Sequence, residues 1–127
     1  MRNLLIWLLL AQPLHAQELM SPAEFAAFAD GQVLGFSVSS GDLYGTERYL
    51  PGQRVLWSTP NGRCTGGDWF ARGDRMCFRY DDAGQDKCWL FFRTGDTITG
   101  MFEWNWAKPI YVEVIDETEM FACGKLS

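Results

Sequence analysis

The sequence predicts a mainly β fold, an antiparallel meander of eight or nine short strands with one short N-terminal helix. Short apolar or alternating segments recur about every eight to twelve residues, separated by Gly, Pro, Asn or Asp. A helical pattern occurs only near the start, so no crossover helices are available to build a parallel sheet. The spacing is typical of either a small barrel or a sandwich, and both remain open at this point.

The first residues, Met1 to Ala16, have the features of a cleaved secretory signal peptide. Arg2 supplies the positive start, and Leu4 to Leu10 is an unbroken apolar run ahead of a short polar segment. That run is much shorter than the roughly 20 residues that span a bilayer, which argues against a membrane anchor. The predicted organisation is therefore a signal peptide over 1–16 and one disulfide-linked β domain over 17–127.

The helix is expected over about Pro22 to Asp30. Ser21 and Glu24 form a capping-box pattern, and Pro22 stands at the first helical position, where its missing N–H costs nothing. Apolar residues follow at helical spacing, and Gly31 is a suitable stop.

After the helix the apolar positions alternate, which predicts strands separated by turns. The predicted strands are Leu34–Val38, Leu43–Leu50, Arg54–Thr59, Arg63–Phe70, Arg75–Tyr80, Lys87–Arg93, Thr97–Trp106, Ile110–Val114 after Pro109, and a last short strand at Glu119–Cys123. The segment Thr97–Trp106 would place Phe102, Trp104 and Trp106 on the same face of one strand.

The charge balance argues against negatively charged partners. The full chain has 11 basic and 16 acidic residues, and loss of Arg2 with the leader would make it more acidic still. We therefore expect no binding to nucleic acid, and no membrane association after signal cleavage. The remaining partner classes are another protein or a small apolar ligand, and no motif predicts a cofactor.

The cysteines predict two disulfide bonds. All four follow the leader, and an even number in a small exported chain is typical of a disulfide framework with three possible pairings. Cys77 and Cys88 flank a predicted hairpin and could face each other across it, in which case Cys64 would pair with Cys123. The expected location is the periplasm or the exterior of the cell.

The sequence shows no catalytic motif, so we expect that the protein is not an enzyme. Its single histidine, His15, lies in the leader, which leaves the mature domain without an imidazole base or metal ligand. Asp68 and Glu103 lie on predicted strands beside tryptophans and are the candidates for a paired-carboxylate site. A solvated strand face is the simpler interpretation of both residues.

The acidic loop Asp81–Asp86 is the candidate for metal binding. It holds three carboxylates, which are ligands that Ca²⁺ prefers, and a glycine, which allows the sharp turn of a calcium-binding loop. The loop lacks the length and the terminal glutamate of an EF-hand, so a polar hairpin turn is the favoured interpretation and no metal site is predicted.

Aromatic residues supply the candidate binding site. They are numerous enough to fill a barrel core, but an eight-stranded barrel can also be just wide enough to hold one small ligand. The candidate ligand-binding residues are Trp57, Trp69, Trp104, Trp106, Tyr44 and Arg48.

The segment Tyr44–Tyr49 is a mixed polar and aromatic strand. Simple alternation places Glu47 and Tyr49 on one face, and Tyr44 and Arg48 on the other. An arginine with tyrosines suits an anionic or protein ligand. The simpler interpretation is a cross-strand ion pair, such as Glu47 with Arg54.

Several motifs resemble a group of bacterial proteins. The motifs that carry the resemblance are Tyr44–Gly52 followed by Val55 and Trp57, Cys64 with Gly67-Asp68-Trp69, Cys77-Phe78-x-Tyr80, and Cys88-Trp89. With them the chain resembles small exported proteins of Gram-negative bacteria that carry a domain of unknown function. The resemblance implies export and a compact β fold, and implies no activity. The expected architecture is more distantly similar to that of lipocalin-like proteins.

The function predicted from these observations is a periplasmic binding or interaction module. One alternative is an inhibitor of a secreted or periplasmic hydrolase. Its distinguishing feature would be a protruding, rigid loop or a free N-terminal segment, Gln17–Met20, that can enter a cleft. The other is a small-molecule binder that uses an aromatic-lined barrel interior. An open interior would favour this alternative, and a fully packed interior would exclude it.

Overall fold

The computed structural model describes residues 16–82, 84–103 and 105–125 of the protein. The predicted signal peptide lies outside this range except for Ala16. Within it, the elements are β1 (Glu18–Leu19), α1 (Pro22–Ala29), β2 (Val33–Ser37), β3 (Leu43–Leu50), β4 (Arg54–Ser58), β5 (Cys64–Arg72), β6 (Arg75–Tyr80), β7 (Lys87–Thr94), β8 (Thr97–Phe102), β9 (Asn105–Val114) and two 3-10 helices, Glu117–Glu119 and Ala122–Lys125. No helix in the described part is long and apolar enough to cross a membrane.

Strands β2 to β9 form a closed antiparallel barrel, so the barrel is the correct one of the two predicted alternatives. Each strand pairs with the next along the chain, and β9 pairs with β2 to close the ring. The short strand β1 is additional: Glu18 and Leu19 pair with Arg93 and Phe92, beyond the part of β7 that pairs with β6. The predicted antiparallel meander is confirmed.

The helix α1 closes one end of the barrel. It begins as predicted, with the Ser21 hydroxyl accepting a hydrogen bond from the Glu24 N–H at 3.1 Å and Pro22 in the first turn. Phe25 is buried against the barrel interior and stacks on Phe91 of β7, with ring centroids 3.8 Å apart. Trp69 of β5 meets the same ring edge to face. This end is therefore filled with packed aromatic side chains.

The predicted strand Thr97–Trp106 is wrong, because the chain turns inside it. Strand β8 ends at Phe102 and β9 begins at Asn105, and these two residues pair across the turn. The expectation that a strand begins only after Pro109 is also wrong. Pro109 lies within β9 but precedes the part paired with β2, so its missing N–H removes no hydrogen bond on that side.

The predicted strand Glu119–Cys123 is wrong as well. Asp116 accepts hydrogen bonds from Thr118 and forms a capping box with Glu119, which starts a 3-10 helix instead. Met120 and Cys123 are buried on the outside of the barrel in a small apolar cluster with Val33. The C-terminal segment therefore covers the outer face of the barrel rather than extending its sheet.

The two predicted disulfides are present. Cys77 and Cys88 lie directly opposite each other in β6 and β7, with Cα atoms 4.0 Å apart. Cys64 and Cys123 join β5 to the C-terminal segment, with Cα atoms 5.3 Å apart. These bonds fit an oxidising, extracellular environment.

Candidate functional site

The barrel is open at the end opposite α1, where it contains a cavity of about 750 Å³. The loops from β2 to β3, β4 to β5 and β6 to β7 surround the mouth. Eight aromatic residues line the wall: Phe36, Tyr44, Trp57, Phe78, Tyr80, Trp89, Phe91 and Phe102. The volume lies within the range of about 300–1,000 Å³ that is typical of small-molecule pockets.

A β-bulge in β3 turns Tyr44 into the cavity. Phe36 of β2 pairs with Gly45, whereas the next residue, Ser37, pairs with Leu43, so Tyr44 is the extra residue. The prediction that Tyr44 faces away from Glu47 is therefore wrong, since both line the cavity. The bulge breaks the two-residue alternation on which that prediction depended.

Gly45 makes room for the Trp57 ring. A Cβ atom at Gly45 would overlap the six-membered ring of Trp57, so only glycine allows the indole to lie across β3 at this point. The indole contacts the rings of Phe36 and Tyr44, with centroids 5.5 Å away in each case. Trp57 is therefore held in the wall by an aromatic cluster and a glycine.

Glu47 is a buried carboxyl group that lines this aromatic cavity. It is 1% exposed and lies directly opposite Trp57 in the pairing of β3 with β4. Tyr49 donates a hydrogen bond to Oε1 at 2.7 Å, and Tyr80 donates one to Oε2 at 2.5 Å. The predicted shared face of Glu47 and Tyr49 is confirmed by this contact.

Burial raises the pKa of the Glu47 carboxyl to about 7, although the hydrogen bonds from Tyr80 and Tyr49 act in the opposite direction. Burial also raises the pKa of three phenols, those of Tyr44, Tyr49 and Tyr80, above the usual value for tyrosine. The negative charge of the nearby Glu47 carboxylate raises it further. The phenols therefore stay protonated at neutral pH, while Glu47 changes its charge within the physiological range.

The mouth of the cavity is polar and mostly basic. Arg63 forms an ion pair with Asp82 there, and Lys87 and Lys108 also line the opening. The Lys87 ammonium lies 5.9 Å from the centre of the Tyr80 ring. The cavity thus combines a positively charged rim, apolar walls and one buried acid.

The candidate ligand-binding residues separate into three groups. Trp57 and Tyr44 line the cavity. Trp69 packs at the closed end against Phe25 and Tyr49, and Arg48 lies on the outside in an ion pair with Glu117, so neither reaches the cavity. Trp104 and the Trp106 side chain lie outside the described residues.

The predicted ion pair between Glu47 and Arg54 is wrong. Odd-numbered residues of β4 face the interior, so Arg54 points outward and binds Asp68 at 3.0 Å and Asp81 at 2.9 Å. Glu47 points inward and binds tyrosines instead.

The other acidic candidates are each bound to an arginine, and apart from Asp82, which lies at the mouth, none of them lines the cavity. Asp68 pairs with Arg54, and Glu103 pairs with Arg75. In the loop considered for calcium, the three carboxylates bind different arginines rather than converging. These ion pairs are Asp81 with Arg54, Asp82 with Arg63, and Asp86 with both Arg72 and Arg79.

Glu47, Tyr80 and Trp89 are among the cavity residues that the sequence analysis does not include as ligand candidates. One available signal was the alternation of β3, which places a carboxylate on the same face as the core residue Tyr49. Tyr80 and Trp89 carry no comparable signal, since the contact of Tyr80 with Glu47 and the place of Trp89 in the cavity wall depend on how the sheet curls into a barrel.

No protein-family model, no curated protein and no solved structure matches this chain. The resemblance to small exported bacterial proteins and to lipocalin-like proteins therefore stays a prediction. The cavity and its buried acid are the features that support a function.

Proposed function

We propose that this protein is an exported binding protein that holds a small, largely apolar compound in the open end of its barrel. The observation that carries the proposal is the cavity of about 750 Å³ with aromatic walls. Ligand pockets are typically concave and mostly apolar, with a few polar groups that orient the ligand. This cavity has that composition, and Glu47 with its two tyrosines supplies the polar groups.

The cavity walls are held in place before any ligand arrives. The Cys77–Cys88 bond joins two strands whose residues Phe78 and Trp89 line the cavity. The barrel is closed through β9 and β2, and the far end is packed by α1. A preformed cavity favours binding because little conformational entropy is lost when the ligand enters.

The alternative of a hydrolase inhibitor has less support. A free N-terminal arm would favour it, but Glu18 and Leu19 are paired with β7, and the Met20 N–H donates to the Phe91 carbonyl at 2.8 Å. Residues 18–20 are thus attached to the barrel. Binding of a ligand inside the barrel makes use of the open cavity, whereas the inhibitor alternative leaves it without a role.

Export is the second part of the proposal. The disulfide bonds fit an oxidising environment. The leader-like sequence over 1–16 and the disulfides together favour the periplasm or the cell exterior.

Binding can be tested with tryptophan fluorescence, since Trp57 and Trp89 line the cavity. The oxidised domain over 17–127 would be titrated with phenethyl alcohol, phenethylamine and hydrocinnamate, which share one ring and differ in charge. We expect a saturable change with at least one of them. Thr65→Phe, which adds a ring to the cavity wall, should weaken that binding, and Thr97→Phe at an exposed site at the opposite end should not.

If none of the three compounds changes the fluorescence, a wider set of apolar compounds of larger size would be tested in the same way. A cavity that binds none of them, or binding that is unaffected by Thr65→Phe, would contradict the proposed function.

A further inference from the structure

Among the described residues, the aromatic walls of the cavity surround one buried carboxyl group. Glu47 lies among the rings of Tyr44, Trp57 and Tyr80, and all four side chains line the cavity. The Trp57 ring is 5.5 Å from the Tyr44 ring and 6.5 Å from the Tyr80 ring, measured between centroids. The negative faces of such rings attract cations, as a carboxylate does.

The hydrogen bonds to Glu47 come from neutral donors. Tyr49 and Tyr80 each donate to one oxygen, which leaves further lone pairs on both oxygens. The ion pairs found among the described residues all use other carboxylates. Glu47 therefore has acceptor capacity left, and its negative charge is not balanced by a neighbouring basic side chain of the described chain.

We propose that the ligand of this cavity carries a protonated amine, which binds Glu47 within the cluster of Tyr44, Trp57 and Tyr80. The inference rests on the proposed function and specifies the chemical class of the ligand. A charge-assisted hydrogen bond from the ammonium group to the carboxylate would be combined with cation–π contacts to the rings. The apolar remainder of the ligand would lie against the aromatic walls nearer the mouth.

An organic cation fits this site better than a metal ion. Ca²⁺ prefers six to eight oxygen ligands, and Mg²⁺ requires near-octahedral oxygen coordination. Within residues 16–82, 84–103 and 105–125, no three acidic, cysteine or histidine side chains lie together as a metal-binding group. The walls around Glu47 instead present aromatic rings, which suit an ammonium group attached to an apolar body.

The charges at the mouth restrict the ligand further. Arg63 is neutralised by Asp82, but Lys87 and Lys108 add positive charge at the opening. A ligand with a second positive group at its far end would be repelled there. The cavity therefore favours a monoamine whose other end is neutral or anionic.

The raised pKa of Glu47, about 7, adds a measurable signature. A bound ammonium group favours the ionised carboxyl, so binding near pH 7 should release about half a proton from Glu47. The groups that face Glu47 are the phenols of Tyr44, Tyr49 and Tyr80, which stay protonated in this range. Lys87, Lys108 and the Arg63–Asp82 ion pair lie at the mouth of the cavity.

Isothermal titration calorimetry with phenethylamine, phenethyl alcohol and hydrocinnamate tests the inference. We expect the amine to bind about tenfold or more tightly than the alcohol at about pH 8, and the anionic hydrocinnamate to bind least. The amine affinity should rise by about tenfold or more between about pH 5 and pH 8, because Glu47 ionises over that interval. Titrations in buffers of different ionisation enthalpy would measure the released proton.

Variants distinguish a specific role of Glu47 in amine binding from a general effect of the protein's negative charge. Glu47→Gln should remove the preference for the amine and its pH dependence, whereas the exposed control Glu113→Gln should retain both. Tyr80→Phe removes one hydrogen bond to the carboxylate and should shift the pH profile of amine binding upward. This variant and the wild-type pH profile keep the inference testable if Glu47→Gln does not fold.

The outcomes distinguish the two proposals. If phenethyl alcohol binds as tightly as phenethylamine, or if Glu47→Gln leaves the amine affinity unchanged, the amine inference is overturned and the binding function stands. If none of the three probes binds but larger neutral compounds do, the amine inference is likewise overturned and the binding function stands. If no compound of any charge binds in the cavity, both proposals fall.

Discussion

Tyr80 donates a hydrogen bond of 2.5 Å to the Glu47 carboxyl, although 33 residues separate the two in the chain. The contact joins β6 to β3 through the interior of the barrel, where Glu47 is almost completely buried. An apolar core does not require such a group, since burial of a carboxyl costs free energy unless it is hydrogen-bonded. The contact therefore indicates a polar site inside the barrel.

The stability of the protein should depend on pH through Glu47. Its pKa in the folded protein, about 7, is above the ordinary value of 4.5, so the folded state binds this proton more tightly than the unfolded state does. The contribution of Glu47 to stability is therefore complete below about pH 4.5 and is lost as the pH rises to about 7. The total loss should be about 3 kcal/mol.

Urea unfolding of wild-type protein and Glu47→Gln across this pH range would measure the effect. The variant should lack this part of the pH dependence, and Glu113→Gln, at an exposed position, should keep it. Parallel pH profiles for wild-type protein and Glu47→Gln would show that Glu47 does not titrate in the expected range.

Tyr80→Phe should destabilise the protein more at about pH 8 than at about pH 5. The lost hydrogen bond is to a charged group only when Glu47 is ionised, and such bonds contribute about 1.5–3 kcal/mol. The same variant should raise the pKa of Glu47, which carboxyl-carbon NMR would detect. Tyr111→Phe, at an exposed position on β9, is the matched control. An unchanged Glu47 pKa in Tyr80→Phe would contradict the hydrogen bond.

The two disulfide bonds should contribute unequally to stability. Cys64 and Cys123 are 59 residues apart in sequence, and Cys77 and Cys88 are 11 apart. In the chain-entropy description, these loops correspond to about 4 and about 3 kcal/mol. Paired Cys→Ser variants, compared by urea unfolding, would rank them. A larger loss of unfolding free energy in the Cys77/Cys88 variant would mean that effects on the native state outweigh the effect of loop length.

Thiol titration of the oxidised domain should find no free cysteine.

Phe25→Ala should cost more stability than Phe102→Ala. Phe25 is 1% exposed and lies in the packed end of the barrel, so its removal leaves a cavity and should cost about 3–5 kcal/mol. Phe102 lines the open cavity and already contacts solvent-accessible space, so the loss should be smaller. Equal losses, measured by thermal and urea unfolding, would contradict the division of the barrel into a packed end and an open end.

Much of the fold follows from local patterns in the sequence. Residues close together in the chain determine three features: the start of α1 at Ser21-Pro22, the alternation that marks the strands, and the pairing of the two cysteines that flank a hairpin. Closure of the sheet into a barrel depends on the pairing of β2 with β9, which are far apart in sequence. Alternation alone is compatible with a sandwich, and so it does not predict this pairing.

The site was less predictable than the fold, because it depends on an irregularity and on long-range contacts. The bulge at Tyr44 changes which face that residue presents, and no local residue pattern required it. Trp69 and Trp57 are both candidate ligand-binding residues in the sequence, whereas in the structure α1 fills the barrel end at which Trp69 lies. The position of that helix along the barrel axis decides which aromatic residues form core and which form cavity wall.

NMR of the tryptophan indole N–H groups during titration with phenethylamine would test the central claim most directly. The signals can be assigned with single Trp→Phe variants. We predict saturable shifts for Trp57 and Trp89, which line the cavity, and no shift for Trp69, which packs against Phe25 at the closed end. A titration that leaves Trp57 and Trp89 unchanged, or that shifts Trp69 equally, would contradict a binding site in the open end of the barrel.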